Sequence, residues 1–284
     1  MSAFPLPIGP GAFVVPAPAA GPQNWAGAPS AALDHDGSIV LAYRTRWADG
    51  PTDANVIARS TDGERFETVV TLDKERWGAA MVERTTLIRL DGGGWRLYVC
   101  CATPKTKHWW IGLVEAQTLE GLGDADIRPI FPGDENVGVK DPVIQRRGGR
   151  WHAWICCHPL DVEDEEDRMT TSYATSTDGL EWDWHGTVLE GRPRMWDSRG
   201  ARLTAVLPDG RAAYDGRATK EQNWFERIGI AEPDGTGFTA TGDALFDARY
   251  LEVFPLPSGG YRLYYEARLP DESHELRTEV VKPS

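Results

Sequence analysis

The sequence predicts an all-β fold, a five-bladed β-propeller built from four-stranded antiparallel blades. Three observations predict it. A unit recurs about every 56 residues and carries an acid at its head four times: Glu83 in MVERTTLIRL, Asp141 in VKDPVIQRR, Asp197 in WDSRGARLTAVL and Glu252 in YLEVFPLP, separated by 58, 56 and 55 residues. Behind each head come a strand, a Gly-containing turn and a second strand, as in GGGWRLYVCC, GGRWHAWICC, DGRAAYDGR and GGYRLYYEAR. The segments alternate apolar and polar residues with period two and are joined by Asp-Gly or Gly-Gly, which is hairpin chemistry. A repeat of this length made of turn-punctuated strands points to propeller blades rather than to two stacked sandwiches, because the spacing is even.

Taken in order, the first unit pairs SAAL with SIVLAYRTR across a DHDG turn and continues with ANVIARS, a TDG turn and FETVVTL. The second runs ERTTLIRL, WRLYVCCA, HWWIGLVEA and DIRPIF; the third PVIQRR, WHAWICC, TTSYATS and GTVLE; the fourth ARLTAVL, RAAYDGR, ERIGIAE and ALF. The fifth offers only LEVFPL, YRLYYEAR and HELRTEVV before the chain ends. Its missing outer strand is expected from residues 12–16, AFVVP, so that the N-terminus closes the ring and removes open sheet edges at the seam. Residues 1–11 read as an extended arm, and residues 1–284 as a single propeller domain.

Composition narrows the function. Thirty Lys and Arg stand against 43 Asp and Glu, for a net charge of −13, which disfavours nucleic acid and anionic membranes as partners. No window approaches the ~18 apolar residues of a membrane helix. The start lacks a basic region and is broken by prolines, so no secretory leader is expected and the chain reads as cytoplasmic. Cys100–Cys101 and Cys156–Cys157 are adjacent pairs on strands. Neighbours on a strand point to opposite faces, so they read as buried small side chains rather than disulfides or metal ligands. No nucleotide, zinc-peptidase or serine-hydrolase motif is present, and no cofactor or metal is expected.

In a propeller the first strand of each blade lines the central channel. Glu83, Asp141, Asp197 and Glu252 therefore read as a carboxylate set near one end of it, with Arg84, Lys140 and Arg199 beside them. The far ends of the second strands add Arg44 and Arg46, Asp215 and Arg217, and Glu266 and Arg268 as equivalents in three units, with His158 in the matching place of the third. Trp109, in KTKHWW, is expected on the rim. Charge of both signs at the axis suits a hydroxyl-rich small-molecule or oligosaccharide ligand, and crowded carboxylates can divide into acid and base. The excess of arginine hints at an anionic substituent on that ligand. The two S-T-D-G segments, at 60–63 and 176–179, read as hairpin turns between third and fourth strands. The acidic run 158–167 reads as a solvated loop.

Five units, acids at the blade heads, KDP at 140–142 and the S-T-D-G turns resemble the five-bladed propeller glycosidases, closest to glycoside hydrolase family 43 and its furanosidase relatives. The resemblance implies a blade-three Asp that orients the system, matched by Asp141. It also implies a blade-four general acid, matched in place by Asp197, although the family has Glu there. The family's blade-one base has no counterpart in NWAGAPSAAL. Glu83, Glu252 or Asp215 would have to replace it in cleaving a glycosidic bond; otherwise the chain is a non-hydrolytic relative that binds a sugar or metabolite, or runs another acid–base reaction such as a cyclisation or elimination.

Overall fold

A computed structural model describes residues 3–50 and 53–282. Strand β1 (Ala12–Val15) precedes the first blade, made of β2 (Trp25–Leu33), β3 (Ile39–Arg46), β4 (Ala54–Ser60) and β5 (Glu67–Asp73). Blade two is β6 (Thr86–Arg89), β7 (Trp95–Ala102), β8 (Trp109–Ala116) and β9 (Arg128–Phe131). Blade three is β10 (Val137–Arg147), β11 (Arg150–Pro159), β12 (Thr170–Ser176) and β13 (Asp183–Leu189). Blade four is β14 (Gly200–Val206), β15 (Ala212–Arg217), β16 (Arg227–Asp234) and β17 (Gly237–Phe246). Blade five is β18 (Arg249–Pro255), β19 (Tyr261–Arg268) and β20 (His274–Val281), completed by β1.

Ring closure follows the expectation. β1 runs antiparallel to β20, with Ala12 opposite Thr278 and Phe13 opposite Arg277, so the two ends of the chain share one sheet. Blades five and one also touch through a single parallel bridge, Trp25 to His274. The arm before β1 is docked rather than free: Phe4 is buried with Ala205 and Leu207, and the Ile8 N–H donates to the Glu279 carboxylate at 3.1 Å. The first two residues of that arm lie outside the described residues.

The core explains why the blades form a ring. Five apolar clusters lie between blades one and two, two and three, three and four, four and five, and five and one. Each sheet is therefore apolar on both faces, and burying both faces requires a neighbour on each side. All four cysteines are free and buried, Cys101 and Cys157 in this packing. Strand β17 is longer than the ALF segment expected, because Thr239 and Thr241 extend it across a register irregularity.

The S-T-D-G segments are hairpin turns that also tie blades together. The Ser60 and Ser176 hydroxyls each accept the N–H of the turn glycine at 2.8 Å. The Gly63 carbonyl accepts the Tyr264 hydroxyl of blade five at 3.0 Å, and the Gly179 carbonyl accepts the Tyr98 hydroxyl of blade two at 2.8 Å.

Candidate functional site

The axis is organised by a feature that the sequence hid. In every blade the pairing of first and second strands slips by one residue, and in four of the five it slips at the same place. Two residues bulge between Gly27 and Ser30, Glu83 and Thr86, Lys140 and Val143, and Arg249 and Glu252; in blade four the slip comes one residue later, between Leu203 and Ala205. Such a bulge re-aims side chains and recurs next to active sites. The residues before it (Gly27, Glu83, Lys140, Arg202, Arg249) form one equivalent set, facing Arg44, Cys100, Cys156, Asp215 and Glu266 on the second strands. At the first bulge position Ala28, Asp141 and Tyr250 adopt left-handed φ values of 52°, 49° and 55°. That conformation is strained for a bulky side chain and persists only when its surroundings fix it.

The four acids are therefore not equivalent, which corrects the expectation from repeat spacing. Glu83 precedes its bulge, Asp141 lies in one and Glu252 follows one, while Asp197 stands ahead of β14 altogether. Loops between blades differ in length, and a slip of one residue along a strand turns a side chain to another face. The second-strand expectation holds: Arg44, Asp215 and Glu266 share one register, and Arg46, His158, Arg217 and Arg268 stand two residues further on.

The head of the channel holds one buried ionic cluster. Arg202 reaches Asp141 at 2.9 Å, Asp215 at 2.6 Å and the Tyr250 hydroxyl at 2.8 Å. From blade five, Tyr250 crosses the axis and puts its phenol oxygen 3.4 Å from Glu83 Oε2 and 3.3 Å from Asp141 Oδ2. Its N–H donates to Asp215 Oδ2 at 2.9 Å, which helps fix the unusual backbone. Glu83 is held by Arg46 at 2.7 Å and Arg44 at 3.3 Å, and Arg44 also binds Glu266 at 2.6 Å. Arg249 links Glu266 at 2.9 Å to Glu226 at 3.0 Å, and Arg217 joins Glu226 to Asp167. Trp25 covers part of this cluster, with Arg44, Arg46 and Arg249 5.0 to 5.2 Å from its ring and Trp224 tilted against it at 58°. On the other side Lys140 lies over the Trp109 ring at 5.0 Å, partly exposed.

Electrostatics divide these groups. Burial alone would raise the Glu83 carboxyl, but Arg44, Arg46, Lys140 and Arg249 outweigh it and hold it far below the ordinary range. Glu226 follows the same balance, brought down to about 2 by Arg249, Arg217 and Arg202. Burial pushes the Tyr250 phenol well up, so it keeps its proton. Asp215 is raised by burial against the pull of Arg202. His158 is held neutral by burial and by Lys140, Arg217 and Arg202; its Nδ1 faces the Glu166 carbonyl at 3.0 Å and its Nε2 lies 3.5 Å from Cys156 Sγ.

Several expected site residues lie elsewhere. Asp197 is fully buried between blades three and four, where it accepts the Tyr214 hydroxyl at 2.7 Å and Arg192 at 2.8 Å, and it makes no bond to the head cluster. Its position before β14 turns it into the blade packing rather than toward the axis. Arg199 is bound by Asp167 at 2.7 Å and Glu165 at 2.9 Å, within the acidic loop read as solvated; Arg268 pairs with Asp247 over the Phe225 ring. Arg84 and Glu252 pair at 2.7 Å below the cluster, where they face a cavity at the opposite end of the channel. Arg44, Arg84, Arg199, Arg217 and Arg268, expected to bind hydroxyls or an anionic group, are each paired with a resident carboxylate.

Sequence reasoning missed Tyr250, Arg202, Arg249 and Glu226. Counting back from the second strand would have found three of them: RY at 249–250 stands to YYEAR as KD at 140–141 stands to WICC. Glu226 sits outside the repeat and carries no such signal. Among the described residues no group of three His, Cys, Asp or Glu side chains is placed to hold a metal ion.

No protein-family model and no curated protein matches the chain. Solved structures do match along its length. A glycosyl hydrolase from Bacteroides ovatus is 16% identical with a TM-score of 0.61, over 96% of this chain and 95% of that one. The β-1,2-mannobiose phosphorylase of Listeria innocua is 15% identical with a TM-score of 0.61, over 97% and 92%. An α-L-arabinofuranosidase from Lactobacillus brevis is 12% identical with a TM-score of 0.64, over 91% and 93%. This is the fold of the propeller glycosidases. At such identities the propeller glycosidase likeness extends to architecture, and residue roles rest on the cluster itself.

Proposed function

We propose that the chain is a sugar-active enzyme whose chemistry runs at the head cluster, with Glu83 as base, the Tyr250 phenol as proton donor and Asp141 orienting both the phenol and Arg202. The observation that carries this reading is the phenol oxygen within 3.4 Å of two carboxylates that come from different blades. Burial raises the phenol while four cations depress Glu83, so at rest the phenol holds its proton and Glu83 is ionised, the protonation states that a donor and an acceptor start from. Glycoside cleavage is the leading reaction. It needs an acid and a carboxylate across the scissile bond, so a sugar must open the 3.4 Å contact between the phenol and Glu83 to lie between them; tyrosine replaces the nucleophilic carboxylate in some glycosidases. The names of the proteins sharing the fold, a glycosyl hydrolase, a mannobiose phosphorylase and an arabinofuranosidase, support a glycoside as substrate.

A second reading, acid–base chemistry without hydrolysis such as cyclisation or elimination, is favoured by Ala28 in the blade-one position and by guanidinium pairing of Glu83, Asp141, Asp215 and Glu266. The test is a panel of aryl furanosides and pyranosides, with ultraviolet detection of any new carbon–carbon double bond. Wild type is compared with Glu83→Gln, Tyr250→Phe and Asp197→Asn. Loss of turnover by at least a hundredfold in the first two, with Asp197→Asn within tenfold of wild type, is expected. Double-bond formation without sugar release selects the second reading. Turnover that survives Glu83→Gln and Tyr250→Phe removes both.

A further inference from the structure

The channel has a polar chamber at the end away from the cluster. It measures about 450 Å³ and is walled by the post-bulge halves of all five inner strands. It is open because the residue after each bulge is small in four blades (Ser30, Thr86, Val143 and Ala205), while only the fifth supplies a long one, Glu252. Arg84 crosses the axis to donate to the Thr204 carbonyl at 2.8 Å and to Glu252, so it stands between the chamber and the packed head cluster. At ~30 Å³ per water molecule, this volume admits a ligand of roughly a dozen heavy atoms.

Charge on the wall runs against the chain as a whole. In a protein of net charge −13, this chamber is lined by Arg84, Arg89, Arg146 and Arg147 and by a single acid, Glu252. Asp34 and Asp91 hold Arg89 and Arg146 from outside the lining. Arg147 differs: it donates to the Leu207 carbonyl at 2.9 Å and the Val206 carbonyl at 2.6 Å, and no described carboxylate forms an ion pair with it. Beside it, Gln145 spends its amide N–H on the Val206 carbonyl at 3.1 Å and leaves a buried Oε1 without a partner. A cation at the mouth with no ion pair of its own, attracted only from beyond pairing distance by Asp209, has an unmatched acceptor next to it. Deeper in, Ser30 accepts the Leu87 N–H at 3.1 Å and can still donate, and Thr86 donates to the Pro142 carbonyl at 2.6 Å and can still accept, so the site has a definite preference.

We infer that this chamber binds a small hydroxylated oxyanion, a sugar-sized molecule bearing a carboxylate or a phosphate, with the anionic group at Arg147 and hydroxyls toward Gln145, Thr86 and Ser30. The site stands apart from the head cluster, so the inference does not depend on the reaction proposed there. Burial lifts the Glu252 carboxyl against the pull of Arg84, which weakens the one repulsive charge on the wall.

The test is calorimetric titration and thermal shift of the full chain at low salt with gluconate, glucose 6-phosphate and glucose. Gluconate, glucose 6-phosphate or both should bind at micromolar to millimolar concentration while glucose does not, and which of the two binds identifies the anionic group. Arg147→Gln should weaken binding at least tenfold. Arg146→Glu, at an exposed position of the rim, should also weaken it, and serves if the first variant folds poorly. Binding should persist in Glu83→Gln. Equal response to glucose, no binding of either anion at 10 mM, unchanged affinity in both arginine variants, or loss in Glu83→Gln overturns the inference.

Discussion

Replacing Arg202 by methionine removes a cation that three groups share. Its guanidinium meets Asp141 at 2.9 Å, Asp215 at 2.6 Å and the Tyr250 hydroxyl at 2.8 Å, and both carboxylates are buried. Methionine keeps much of the side-chain volume, so the change isolates charge from packing. Leaving a buried charge without its partner typically costs 3–5 kcal/mol; Asp215 loses its cation here while Asp141 keeps Lys140 at 3.7 Å, so about 4 kcal/mol is expected near pH 7. The pH dependence carries a sign. Burial already raises Asp215 and Arg202 opposes it, so the variant lifts the folded-state value further above the unfolded ~3.9. A group raised in the folded state favours folding at low pH and loses that contribution as pH climbs. The deficit should therefore shrink between pH 7 and pH 5. Wild type behaves oppositely: Glu226, depressed to about 2 by Arg249, Arg217 and Arg202 against its burial, contributes above its unfolded value and loses that contribution as pH falls from about 4.5 toward 2. Urea unfolding of wild type and variant at pH 7 and 5, followed by tryptophan fluorescence, measures the first effect, and the same experiment on wild type between about pH 4.5 and 2 measures the second. A loss below 1 kcal/mol at pH 7, or a deficit that does not change with pH, would show that solvent rather than Arg202 compensates these carboxylates.

Two further outcomes follow from the packing. Asp197→Asn should cost about 1–3 kcal/mol in urea unfolding, the price of weakening a buried carboxylate bonded to Tyr214 and Arg192, while leaving ligand binding at either end of the channel within twofold. Gly63→Ala should lower stability by about 1–3 kcal/mol, because φ is 77° there and an added Cβ would stand 2.6 Å from Arg262 Nε of blade five; a neutral result would mean that this turn does not tie blade one to blade five.

Much of the fold was legible because it is written locally. Alternation of period two, Asp-Gly and Gly-Gly turns and an even repeat place the strands, and the missing fourth strand of the fifth unit pointed to residues 12–16 for closure. The site was legible only in part. Asp141, Glu83 and the series Arg44, Asp215 and Glu266 were found because they sit in or beside strands whose hairpins fix their register. Asp197 was misplaced because it precedes its strand, where loop length breaks the count. Tyr250 escaped notice because an aromatic residue inside an apolar strand looks like core until its left-handed backbone and its reach across the axis are seen.

The sequence by itself determined a ring of like sheets, since each blade needs only its own turns and alternation to form and an apolar neighbour on both faces to be stable. Tertiary structure alone decided which charges meet. A one-residue bulge in each inner strand selects the side chains that face the axis. The partners it joins, such as Glu83 with Tyr250 and Asp141 with Arg202, come from different blades, and nothing in the local sequence of either records the other.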